Sequence, residues 1–120
     1  MTRALRGEFD YAQDAFVYIV NFRLPCTNVL LCKIGSGTGS RINTVQNEIR
    51  RVRGFDIQIK HYPFATAGEA IVFEHLVHKQ VFEYQYIVPV EFKFPGHTEV
   101  FTKSPNLQAV ENHPALALFR

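Results

Sequence analysis

The chain has 120 residues, 47% of them hydrophobic and 20% charged, and a formal net charge of +2. That size and composition predict one globular domain and exclude a disordered chain. No apolar run approaches the roughly 18–20 residues that span a bilayer. The opening stretch Met1–Asp10 lacks the apolar core of a secretory signal, and two cysteines are too few for a disulfide scaffold or a zinc site. A small intracellular protein without a membrane partner is the expectation.

Ala15-Phe-Val-Tyr-Ile-Val-Asn-Phe22 is rich in β-branched and aromatic residues and reads as a strand, after a polar arm or short helix over 1–13. Residues 23–28 contain Pro25 and Asn28 and read as a turn, so Val29–Ile34 is predicted as the returning strand of a hairpin. Gly35-Ser-Gly-Thr-Gly-Ser40 reads as a flexible loop. It matches neither the Walker nor the dinucleotide pattern. Ile42, Val45, Ile49 and Val52 then form one helical stripe, with Ser40 as the predicted N-cap and Gly54 as the stop. Phe55–Tyr62 alternates apolar and polar residues and reads as a half-buried strand, with Pro63 at its end. Thr66-Ala-Gly-Glu69 has capping-box spacing and opens a helix to about Phe82. Tyr86–Phe92 contains Pro89 and is demoted to an edge strand or an extended loop. Ser104-Pro105 is the predicted start of a short final helix. The order β-β-α-β-α predicts an α+β domain, a small antiparallel sheet flanked by helices.

The modest net charge conceals an uneven distribution. Residues 1–60 carry nine Lys and Arg against five Asp and Glu, and residues 61–120 carry four against six. The basic stretch includes Arg50, Arg51, Arg53 and Lys60, which suits contacts to phosphates or simply a solvated face. On a wheel of the second predicted helix, Ala70, Phe73, Leu76, Val77 and Val81 form an apolar arc, His75 and Lys79 lie opposite, and Glu74 and His78 sit at its edge. A carboxylate there is partly desolvated unless it is paired, to an arginine of the first helix for instance, or holds a metal. Glu74-His75-Leu-Val-His78 has its histidines at i, i+3, unlike the His-Glu-x-x-His of zinc peptidases, so a zinc site of Glu74, His75 and His78 is a weaker expectation. Cys26 and Cys32 flank the hairpin turn and read as small packing residues.

The order of four features matters more than any one of them. Phe16-Val17-Tyr18 on one strand, Lys33-Ile34-Gly35 on the next, Arg41 opening a helix and Glu74 in the following helix resemble the GIY-YIG nuclease superfamily. The likeness is to its phage and large-DNA-virus branch, where the two signatures often read Val-Tyr-Ile and Lys-Ile-Gly. Glu74 and His78, four apart, and Glu99-Val100-Phe101 fit two further elements of that branch. The likeness covers about residues 14–104, leaving 105–120 as a short helix and tail. Phe16 stands where the family has its first glycine, and Lys33 where it has its second tyrosine.

The resemblance implies a DNA endonuclease in the cytoplasm or nucleus of a host cell, hydrolysing phosphodiesters with one Mg²⁺ or Mn²⁺ held by Glu74. It implies that Arg41 contacts a non-bridging oxygen and that Tyr18 orients or deprotonates the attacking water, with Lys33 as the neighbouring cation. His78 would support the metal or relay to Tyr18. Arg50, Arg51, Arg53 and Lys60 would hold backbone phosphates. A homodimer would allow both strands to be cut. The departures at Phe16 and Lys33 leave a second expectation, a catalytically silent fold of the same type that binds nucleic acid or protein.

Overall fold

The computed structural model describes residues 15–119, so the expected arm over 1–13 lies outside the described residues. The domain is α+β. Strands β1 (Ala15–Arg23), β2 (Leu31–Gly37), β3 (Phe55–Phe64) and β4 (Val100–Phe101) form one antiparallel sheet in the order β3-β1-β2-β4. Helix α1 (Gly39–Arg51) joins β2 to β3, α2 (Ala67–Val81) follows β3, and a short α3 (Leu107–Glu111) follows β4.

The central strand explains the layering. Phe16, Tyr18, Val20 and Phe22 of β1 pack with Ile42, Val45 and Ile49 of α1 and with Val88, Phe92 and Phe94. Val17 and Ile19 face the other way, onto Ala70, Phe73, Val77 and Val81 of α2. Both faces of β1 are therefore covered, which is why its sequence is a nearly continuous apolar run rather than an alternating one. Val110 and Leu116 complete the α2 side, so the segment after 104 contributes to this core.

Several boundaries differ from expectation, each for a local reason. The second strand starts at Leu31 rather than Val29. Arg23 donates from Nη1 to the Asn28 carbonyl at 2.7 Å, and Val29 N–H donates to Thr27 Oγ1 at 3.1 Å, so the turn consumes Val29 and Leu30. The same strand runs on through Gly37, paired residue by residue with β1, so Gly35 and Ser36 belong to the sheet and not to a loop. Thr38, not Ser40, is the N-cap of α1, and its carbonyl accepts from Arg41 N at 3.0 Å. The strand at 55 continues through Pro63 to Phe64, which a sheet edge tolerates. Asn106, not Ser104, caps α3, accepting from Ala109 N at 3.3 Å. Val100–Phe101 adds a fourth strand that was not expected. Residues 86–92 form no regular strand, as Pro89 suggested.

Gly54 does stop α1, though not as the left-handed residue. Arg53 takes that role at φ 67, with its N–H on Arg50 O at 3.0 Å and Gly54 N–H on Ile49 O at 2.9 Å, a Schellman arrangement. A Cβ on Gly54 would lie 2.3 Å from Ile49 Cγ2 and 2.8 Å from the Ile49 carbonyl oxygen. Gly54→Ala is therefore expected to cost about 2 kcal/mol of stability, read as a lower urea midpoint with an unchanged slope. No helix among the described residues is long and apolar enough to cross a membrane.

Candidate active site

The site forms at the outer edge of β2, where β4 stops. β4 pairs only with Cys32 and Lys33, so the strand edge beyond Lys33 is left to α2. His78 of α2 takes the first exposed acceptor: its Nε2 lies 2.8 Å from the Ile34 carbonyl oxygen. A carbonyl only accepts, so Nε2 carries the proton and donates. Glu74, one turn earlier, lies beside Ser36, whose hydroxyl favours the ionised carboxylate. The N-cap half of the expected capping box forms, with Glu69 N–H donating to Thr66 Oγ1 at 3.1 Å.

Tyr18 and Lys33 reach the site from the sheet. Tyr18 pairs with Gly35, and its ring lies over that glycine, where a Cβ would sit 2.3 Å from the hydroxyl oxygen. Lys33 is 1% exposed, with Nζ 5.5 Å from the Tyr18 ring centroid and 3.5 Å from Glu99 Oε2. Gly96, at φ 85, turns the chain toward Glu99 and leaves room for that ammonium, since a Cβ there would lie 2.8 Å from Lys33 Cε. Arg41, in the first turn of α1, sits beside the Tyr18 hydroxyl, where its charge favours the phenolate, and its Nη1 lies 3.8 Å from Glu48 Oε1.

Four residues that are far apart in sequence, Tyr18, Lys33, Arg41 and Glu74, thus form one interacting group. Glu99 joins them, its Oε2 3.5 Å from both Lys33 Nζ and His78 Nε2. Oxygen or nitrogen atoms of Glu74, His78 and Glu99 lie within 4.8 Å of one another, close enough to surround one cation. With Nε2 of His78 donating to a carbonyl, the carboxylates of Glu74 and Glu99 are the oxygen donors that suit a hard divalent ion. The only sequence signal for Glu99 was its place in the Glu-Val-Phe element. The spacing of 25 residues from Glu74 carries no periodicity, so only the fold reveals the pair.

Electrostatics revise three expected roles. Burial pushes the Tyr18 hydroxyl up to about 12, against the opposing pull of Arg41. The cation whose charge favours ionisation of Tyr18 is Arg41 rather than Lys33. Burial lowers the Lys33 ammonium, with Glu99 and Glu74 pulling it back up. His78 contacts Ile34, Glu99 and the Phe101 ring and makes no relay to Tyr18 among the described residues. Burial, reinforced by Glu99, raises the Glu74 carboxyl against the opposing effect of the Ser36 hydroxyl. Arg41 takes Glu48 as its carboxylate partner, so Glu74 is not the mate of an α1 arginine. His75 is exposed and outside the cluster, so a zinc site of Glu74, His75 and His78 does not form.

The Tyr18 shift has a measurable consequence. The folded state holds the hydroxyl neutral above its ordinary value of 10.0, so the stability this contributes is intact below pH 10 and is lost as pH rises toward about 12. Alkaline titration by absorbance at 295 nm is expected to show Tyr18 and Tyr86 titrating late, the second raised by burial and its Cys26 contact, with the Tyr18 component lost in Tyr18→Phe. A full complement titrating near 10 would contradict the burial argument.

The four basic residues expected to hold phosphates are all exposed, and they are not gathered at the site. Arg50 and Arg51 lie about 15 Å along α1 from Arg41, at 1.5 Å per residue. The Arg53 guanidinium stacks 5.2 Å from the Phe92 ring centroid. Lys60 is on β3, separated from β2 by the whole of β1. Cys26 and Cys32 are both free, the first exposed and the second buried as a packing residue. No family model, curated protein or solved structure matches the chain.

Proposed function

We propose that this domain is a divalent-metal-dependent DNA endonuclease of the GIY-YIG type. The observation that supports it is the convergence of Tyr18, Arg41 and Lys33 with two carboxylates, Glu74 and Glu99, at one edge of the sheet. A cation that meets a phosphate, an oxygen site for a metal and a hydroxyl that can orient water are the parts a phosphodiester hydrolysis requires.

In this reading Glu74 and Glu99 hold Mg²⁺ or Mn²⁺, which when bound supplies charge neutralisation at the phosphate and at the leaving 3′ oxygen. Arg41 is 40% exposed and donates to a non-bridging oxygen. Tyr18 positions the attacking water through its hydroxyl. Lys33 and His78 fix the Glu99 carboxylate between them. The water oxygen bonds to phosphorus as the P–O3′ bond breaks; the water gives up a proton to solvent and the departing 3′ oxygen takes one from solvent. Arg50, Arg51, Arg53 and Lys60 hold flanking backbone phosphates without reading sequence. One site cuts one strand, so double-strand cleavage takes two copies or two successive nicks.

The decisive assay is nicking of supercoiled plasmid with Mg²⁺ or Mn²⁺ and its loss in EDTA. Metal-dependent nicking is expected. Absence of cleavage of every DNA form with either metal would sink the enzyme reading. It would favour the second one, a binding module of the same fold, for which the departures at Phe16 and Lys33 speak.

A further inference from the structure

Glu48 is a carboxylate that nothing above uses. It lies on α1 two turns after Arg41, on the same face of the helix. Its side chain is only 12% exposed, its Oε1 is 3.8 Å from Arg41 Nη1, and its Oε2 is buried with no hydrogen-bond partner among the described residues. A half-satisfied buried carboxylate is costly, and an apolar residue at that position would pack at less expense.

Its geometry explains what it does there. The Arg41 guanidinium has two polar neighbours, the Tyr18 hydroxyl, whose ionisation its charge favours, and the Glu48 carboxylate at 3.8 Å. The stem is fixed below by Gly37, where a Cβ would approach Arg41 Cβ and Cγ to 2.9 Å. A guanidinium has five N–H donors in a rigid fork. A guanidinium near both Tyr18 and Glu48 still has N–H donors left for another acceptor, and the Arg41 side chain is 40% exposed. A freely rotating arginine would have to lose that freedom on each encounter with substrate.

We infer that Glu48 is a positioning residue for Arg41: it holds the guanidinium against Tyr18 so that its free donors are preset for a phosphate oxygen. The kinetic part of this inference rests on the nuclease reading, and the spectroscopic part does not. The experiment uses ¹⁵N-labelled wild type, Glu48→Gln and Glu48→Met, with side-chain arginine NMR and plasmid nicking in Mg²⁺. Wild type is expected to show slow rotation of the Arg41 guanidinium, with resolved Nη signals that merge in both variants while thermal midpoints stay close to wild type. In nicking, kcat is expected to fall about tenfold with KM little changed. In an Arg41→Ala background Glu48→Gln is expected to have no further effect.

Unchanged Arg41 signals in both variants would overturn the inference, as would losses that simply add in the double variant. If Glu48→Gln fails to fold, Glu48→Met carries the same readouts in a side chain suited to burial. If wild type does not cleave DNA, the nuclease reading fails, and the guanidinium signals alone decide the role of Glu48.

Discussion

Glu74→Gln is expected to lower metal-dependent DNA cleavage about a thousandfold while leaving the metal-free protein at least as stable as wild type. The first effect follows from charge. The amide keeps the shape of the side chain and can still accept from Ser36, but it no longer offers an anionic oxygen beside Glu99. The several kcal/mol that a metal supplies to a phosphoryl transition state correspond to about three powers of ten in rate. The second effect follows from the sign of the Glu74 shift. Burial and Glu99 raise this carboxyl in the folded state. The stability linked to it is therefore present at acid pH, where it is protonated, and is lost as pH rises. Ionising Glu74 in this buried place beside Glu99 is a cost that a divalent ion would relieve. Wild type should accordingly gain thermal stability on adding Mn²⁺, and Glu74→Gln should gain little. Retained DNA binding in a gel-shift assay separates lost chemistry from lost affinity. Full cleavage by the variant would remove Glu74 from the mechanism.

Gly35→Ala is expected to damage fold and site together. The added Cβ would lie 2.3 Å from the Tyr18 hydroxyl oxygen and 2.5 Å from Cζ, and Tyr18 is 1% exposed. A buried ring wedged between Gly35, Lys33 and the α1 packing has no free direction in which to move. We expect a loss of about 2–3 kcal/mol, or roughly 10 °C in Tm. We also expect cleavage to drop at temperatures where the variant remains folded, because the ring carries the hydroxyl beside Arg41. The check is a double-mutant cycle: Gly35→Ala should cost much less in a Tyr18→Leu background, where the distal ring atoms are gone. Equal costs in both backgrounds would show that Tyr18 is not what makes glycine necessary at this position.

The regular elements were legible because each has a local signal. The stripe Ile42, Val45, Ile49 supplied the buried face of α1, and Thr66 with Glu69 fixed the start of α2 to the residue. The wheel that put Glu74 and His78 at the border of the apolar arc was correct, since both are half-buried while His75 and Lys79 are exposed. The places that misled are those where a residue's chemistry suited two roles. Ser40 and Ser104 are good caps by type, yet Thr38 and Asn106 lie where the chain changes direction. Gly35 looked like loop because glycine usually marks one, and here it serves the packing of an aromatic ring inside a strand.

By itself the sequence determined the α+β class, the central apolar strand, both long helices and the candidates Tyr18, Lys33, Arg41 and Glu74, because hydrophobic period, capping chemistry and motif order are local properties of a chain. Only the tertiary structure decided that Glu99 stands beside Glu74, that Arg41 rather than Lys33 is the cation acting on the Tyr18 hydroxyl, that His78 spends its Nε2 proton on Ile34, and that the arginines at 50 and 51 lie at the far end of α1. Those facts depend on where the two-residue β4 ends and how deeply each group is buried. Both are set by long-range packing, which no spacing along the chain encodes.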